Sequence, residues 1–114
     1  MRVYRVLRGP VATQDDFQSL ADVGRPIPHG APAQVRRKWE AVSTFTTIEL
    51  ARKRARDRRL GNWWAAIELP PEVMAEEDPP VRLGRHVSVY GVTADQLLGY
   101  IAETGRFEPE GRLQ

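Results

Sequence analysis

Three sets of polar side chains in this 114-residue chain sit in segments otherwise rich in apolar residues: Arg5, the pair Ser43 and Thr44, and His86 with Tyr90. A guanidinium is costly to bury unpaired, so Arg5 must reach solvent, meet a carboxylate, or face a cleft that takes an anion. The two hydroxyls begin the run Ser43-Thr44-Phe45-Thr46-Thr47, which closes an apolar segment and opens a helical one. Where a strand runs into a helix N-terminus, free backbone N–H groups and hydroxyls gather, a setting suited to a polar or anionic ligand. Taken singly, each feature has an ordinary structural counterpart: a solvated or salt-bridged arginine, a serine filling a strand. Their coincidence is what points to a site. The chain has no Gly-rich phosphate loop, no serine or cysteine nucleophile motif and no carboxylate pair at telling spacing. With no cysteine and only His29 and His86, neither a disulfide nor a zinc site of the usual ligands is expected.

The elements that must position these groups follow from periodicity. A first strand over residues 2–7 puts Val3, Arg5 and Leu7 on one face and Tyr4 and Val6 on the other. Thr13 caps a short helix with Phe17, Leu20 and Ala21 at helical spacing, stopped by Gly24. Three prolines and two glycines make residues 24–32 a loop. There His29 reads either as part of a lid over a cleft or as a bystander. A second short helix follows, with Pro32 in its first turn and Val35 and Trp39 on one face. A strand over 41–46 leads into a helix over 47–60, with Thr46 and Glu49 in a capping-box pattern and Gly61 as the stop. Residues 62–69 read as a central strand closed by Pro70-Pro71, with Trp63 and Trp64 on opposite faces. The acidic, proline-containing stretch 72–84 reads as an irregular excursion. A strand over 85–92 alternates His86, Ser88 and Tyr90 with Val87 and Val89. Thr93 and Gln96 then open a last helix carrying Ala94, Leu97, Leu98 and Ile101, with Gly105 as its stop. The expected architecture is α+β, one compact domain over 1–105 with a small, mostly antiparallel sheet and flanking helices. Residues 106–114 are read as a tail that frays unless Phe107 docks.

The length suits a single core. No apolar run approaches the roughly 18 residues a membrane span needs, and the charged N-terminus lacks a secretory apolar region, so a cytoplasmic chain without a membrane partner is expected. Charge is unevenly spread: residues 1–62 carry 13 Lys and Arg against 6 Asp and Glu, whereas residues 63–114 carry 4 against 9. The helix over 47–60 concentrates this charge. Arg52, Arg56 and Arg59 are its candidate contacts to nucleic-acid phosphates, with salt-dependent affinity through counterion release. The bland reading is a solvent face, since no aromatic side chain interleaves to stack bases. A module that recognises a protein partner without residue-level signature is a third possibility.

The Tyr4-Arg5 opening, the Ser43-Thr44-Phe45-Thr46 strand leading into a helix, and a later strand before a Leu-rich element together resemble mono-ADP-ribosyltransferase-like domains. The arrangement of Trp39, Ser43, Phe45 and the 87–90 strand also looks like small bacterial proteins of unassigned function. The first resemblance implies that fold, NAD as the bound nucleotide, and transferase or NAD glycohydrolase activity. It gives Arg5 to NAD phosphates or ribose, and Ser43, with Thr44, to the nicotinamide ribose. The glutamate such domains carry on a later strand has no counterpart in Arg85-His86-Val87-Ser88-Val89-Tyr90, where His86 or Tyr90 is the available substitute. Glu68, on the strand before Pro70, would serve only with a shifted strand assignment.

Overall fold

The alternation read along the first strand is realised in the computed structural model, which describes residues 1–108. Strand β1 (Arg2–Leu7) sends Val3 and Leu7 to one side of a sheet and Tyr4 and Val6 to the other. Its partners are β2 (Val42–Phe45), β3 (Trp63–Glu68), β4 (Met74–Glu77), β5 (His86–Tyr90) and β6 (Ile101–Arg106). They form one six-stranded sheet in the order β4-β5-β2-β1-β3-β6, antiparallel at every pairing. Helices α1 (Ala33–Trp39), α2 (Ile48–Arg58) and α3 (Ala94–Gly99) and a single 3-10 turn (Gln14–Phe17) complete an α+β domain.

Both faces of the sheet are covered, each by a different apolar cluster. On one face Val3, Leu7, Ile67, Val87 and Val89 pack with Phe17 of the 3-10 turn and Leu97 of α3. On the other, Val6 and Phe45 pack under Leu50, Ala51 and Ala55 of α2 and are joined by Phe107. Trp63 belongs to the first cluster and Trp64 to the second, as adjacent strand residues must. Each fully buried Leu or Phe here stabilises the fold by about 1.5–3 kcal/mol, so the two thin layers hold only when both faces are roofed.

The sheet is not uniformly zipped. β1 pairs with β3 along its length, from Arg2 opposite Glu68 to Leu7 opposite Trp63. Its register with β2 is confined to Tyr4 opposite Phe45. The sheet therefore opens into two three-stranded halves, β4-β5-β2 and β1-β3-β6, hinged at that one position.

Several elements differ from the sequence reading. The helix expected from Thr13 to Gly24 is only the 3-10 turn followed by further turns. Asp16 folds its carboxylate back to the Thr13 and Arg8 N–H groups, and Ser19 and Asp22 exchange side-chain bonds to each other's N–H, so local polar bonds outcompete the helical ladder. Helix α2 is capped one residue later than expected, by Thr47, whose Oγ1 accepts from Leu50 N–H; Thr46 Oγ1 instead accepts from Arg85 N–H. The irregular excursion contains β4, paired from Met74 opposite Tyr90 to Glu77 opposite Val87. The last helix keeps its Thr93–Gln96 capping box but ends at Gly99, and the chain turns into β6. Tertiary pairing along β3 overrides the helical spacing of Ile101, which lies opposite Ile67. Gly105 is thus no helix stop: a Cβ there would fall 2.4 Å from the Trp64 ring. The domain continues past residue 105, because Arg106 completes β6 and Phe107 is buried. The rest of the expected tail, residues 109–114, lies outside the described residues.

Candidate functional site

Where the sheet opens, the chain has filled the gap with a charged side chain. Beyond the Tyr4–Phe45 pair, Arg5 donates Nη1–H to the Ser43 carbonyl (2.8 Å) and Nε–H to the Asp16 carbonyl (2.7 Å). A continuous ladder would have used backbone groups there. Desolvation pushes the Arg5 pKa down, to about 10, with Asp16 opposing that shift and Arg8 adding to it. The group stays cationic at neutral pH. Of the three outcomes open to Arg5, the structure shows a half-buried guanidinium held by two carbonyls at the edge of a cleft.

That cleft, about 530 Å³, lies beside the split, between α2 and the chain that follows the 3-10 turn. Arg5, Ser43 and His86 all line it. Ser43 is exposed, and with Phe45 and Val6 it forms the floor. Leu20 and Val23 supply an apolar rim and Arg54 and Arg58 a cationic wall. Five cationic side chains, Arg5, Arg8, Lys38, Arg54 and Arg58, share the lining with three carboxylates, Asp15, Asp16 and Asp78.

His86 is held from behind. Its Nδ1 lies 3.1 Å from Asp78 Oδ2, while Asp78 Oδ1 accepts from Lys38 Nζ at 3.0 Å, and Phe45 meets the imidazole edge-on. Burial lowers the His86 pKa; Asp78 opposes that, while Lys38 and Arg54 add to the lowering. Burial alone would raise the Asp78 pKa, but the Lys38 hydrogen bond and the His86 charge outweigh it and hold the carboxyl below its ordinary range. A neutral His86 with its Nδ1 proton on Asp78 leaves Nε2 as a proton acceptor.

The remaining candidates lie elsewhere. Thr44 is fully buried on the opposite face, its hydroxyl donated to the Val87 carbonyl at 3.0 Å. It has no access to the cleft. Tyr90 borders a separate hollow under α1, with the Arg37 guanidinium 4.6 Å above its ring, and burial raises its pKa with help from Glu76. His29 is exposed in the proline loop and does not line the cleft. Glu68 is taken by Arg2 at 2.8 Å at the far end of β3. Arg52, Arg56 and Arg59 do converge, but on a hollow of about 490 Å³ shared with Arg106 and Glu108, on the other flank of α2.

Sequence reasoning missed Asp78, Lys38 and Arg8 as members of the site, and did not separate Arg54 and Arg58 from the general basic coat of α2. A four-residue spacing, which stacks Arg54 and Arg58 on one helical face, was the available signal for the last two. None existed for Asp78 and Lys38, because their meeting depends on β4 and α1 lying against each other. Comparison with protein-family models, curated proteins and solved structures finds no match for this chain.

Proposed function

We propose that this protein binds NAD or a related phosphorylated nucleotide in the cleft beside the sheet opening, as an ADP-ribosyltransferase-like domain. The observation that carries the reading is the convergence of Arg5, Ser43 and His86, from three separate strands, on one cavity. The cavity has the size of ordinary ligand pockets, roughly 300–1,000 Å³, and combines apolar walls with a few polar groups. Phe45, Leu20 and Val23 suit a base, Ser43 a ribose hydroxyl, and the excess of guanidinium groups a diphosphate.

As an enzyme it would act at the nicotinamide–ribose bond. That bond breaks with its electron pair leaving on nicotinamide, a C–O bond forms from water or an acceptor hydroxyl, and His86 Nε2 takes the proton released. Burial keeps the imidazole neutral enough for this task, and Asp78 acts as a positioning residue behind it. Without a carboxylate on the reacting ribose, stabilisation of the oxocarbenium ion is weak, so binding is the stronger part of the reading.

The test is titration of NAD against tryptophan fluorescence and thermal unfolding, followed by nicotinamide release. Saturable binding that weakens in His86→Gln and Ser43→Ala supports the reading. No response at millimolar NAD ends it.

A second reading draws on the convergence of Arg52, Arg56 and Arg59 with Arg106: nucleic-acid binding on the outer flank of α2. Retention on heparin or DNA across a salt series tests it, and absence of retention at low salt eliminates it.

A further inference from the structure

Arg5 is only partly available to phosphate, because its Nε–H and one Nη1–H already go to the Asp16 and Ser43 carbonyls and only the Nη2 protons and the second Nη1 proton remain. The other guanidinium groups of the cleft are differently placed. Among the described residues, no carboxylate lies within ion-pair distance of Arg8, Arg54 or Arg58. Of the neighbouring acids, Asp57 is engaged with Lys53, Asp78 with Lys38 and His86, and Asp16 with the Arg8 and Thr13 N–H groups, while Asp15 lines the cleft without pairing to any of these three arginines. Arg54 and Arg58 stand one helical turn apart on α2, a rise of about 6 Å along one face. Gly61 rests against the Leu7 carbonyl, which brings the end of α2, with Arg58, beside the end of β1, where Arg8 follows.

We infer that Arg54 and Arg58, with Arg8 on the β1 side, form a diphosphate clamp, and that Arg5 is the strut that holds the cleft open beneath it. Unpaired guanidinium groups around one cavity repel each other, and a bridging polyanion relieves that repulsion while accepting bidentate bonds. The electrostatics agree, since Arg8 lowers the Arg5 pKa and Arg54 that of His86, both like-charge effects across this cavity. At the one-turn spacing of about 6 Å a diphosphate reaches both α2 guanidiniums, whereas a single phosphate reaches both only if the two side chains fold together. The ligand class is therefore a diphosphate ester, with the clamp at the α2 wall and the Ser43–His86 floor left for the ribose. Its location in the cleft rests on the nucleotide reading, but the clamp itself needs no base or sugar.

The experiment is calorimetric titration of the full chain with inorganic phosphate, inorganic pyrophosphate, AMP, ADP and NAD, in the parent and in Arg54→Gln/Arg58→Gln. Pyrophosphate and ADP are expected to bind about tenfold more tightly than phosphate and AMP in the parent, as charge-assisted bidentate contacts imply. In the double variant that gap closes to within about twofold, with AMP affinity little changed. Thermal unfolding of the variant checks that substituting the half-buried Arg54 and the exposed Arg58 leaves the fold intact, and Arg8→Gln gives an independent, smaller loss. Equal affinity for phosphate and pyrophosphate in the parent, or undiminished pyrophosphate binding in the double variant, overturns the clamp. Pyrophosphate binding lost in the double variant while NAD fails to bind the parent keeps the clamp and removes the nucleotide reading. NAD binding that ignores both substitutions does the reverse.

Discussion

Arg5 Nη1–H reaches across the opening between β1 and β2 to the Ser43 carbonyl oxygen, 2.8 Å away, where a backbone N–H would normally close the ladder. One side chain thus fixes the width of the cleft and places a permanent charge at its edge. Arg5→Met removes two charge-assisted bonds and leaves the Asp16 and Ser43 carbonyls to water, so a loss of about 2 kcal/mol is expected in urea denaturation. Arg5→Lys recovers only part of this, because an ammonium cannot present two N–H groups in a planar fork. Parent-like stability in Arg5→Met would show that the opening does not depend on the strut.

Adjacent hydroxyls in the same strand have opposite fates, which gives a paired prediction. Thr44→Val removes the bond to the Val87 carbonyl in the core and costs about 1 kcal/mol of stability, with nucleotide affinity unchanged. Ser43→Ala, on the exposed floor of the cleft, changes stability by less than about 0.5 kcal/mol but weakens nucleotide binding. Thermal unfolding and NAD titration on the two variants check both halves. The opposite pattern would move the site to the other face of the sheet.

Period-two alternation made this contrast legible in principle, since Ser43 and Thr44 must face opposite sides of a strand. It also correctly split Val3 and Leu7 from Tyr4 and Val6, and His86 from Val87. Local chemistry likewise marked the Thr93–Gln96 cap. What alternation and capping cannot encode is pairing at a distance. The apolar positions Leu97, Leu98 and Ile101 fit one helical face, yet Ile101 belongs to β6 because β3 offers it an edge. Met74–Glu77 has no strand-like composition and becomes β4 by pairing with β5. The Asp78–His86 contact inherits that difficulty, as both ends of it depend on this hairpin being formed.

Gly61 provides a test of how the cationic wall is positioned. A Cβ there would lie 2.4 Å from the Leu7 carbonyl oxygen, and its φ of 143° is one that side chains rarely adopt. The carbonyl is part of β1 and cannot yield without shifting the strand. Gly61→Ala is expected to lose about 2 kcal/mol, combining strain with overpacking, as measured by denaturant unfolding. It should also weaken pyrophosphate binding, because the end of α2 carrying Arg58 is displaced. A variant as stable as the parent would mean that this approach is looser than the geometry states.

The last prediction concerns protons. Burial holds the His86 pKa in the folded chain below its ordinary 6.5, against the opposing pull of Asp78. The unfolded chain therefore binds more protons than the folded one as pH drops through 6.5, and stability falls over that range until the folded-state pKa is passed. Above 6.5 the imidazole is neutral in both states and contributes no slope. The melting temperature of the parent should decline between pH 7.5 and the folded-state value, and His86→Gln should lessen that decline. Asp78→Asn removes the group that favours the charged imidazole, so the His86 pKa followed by nuclear magnetic resonance should drop further. A His86 pKa that rises on that substitution would show that Asp78 does not hold the Nδ1 proton, and the role of Nε2 as the acceptor in the cleft would go with it.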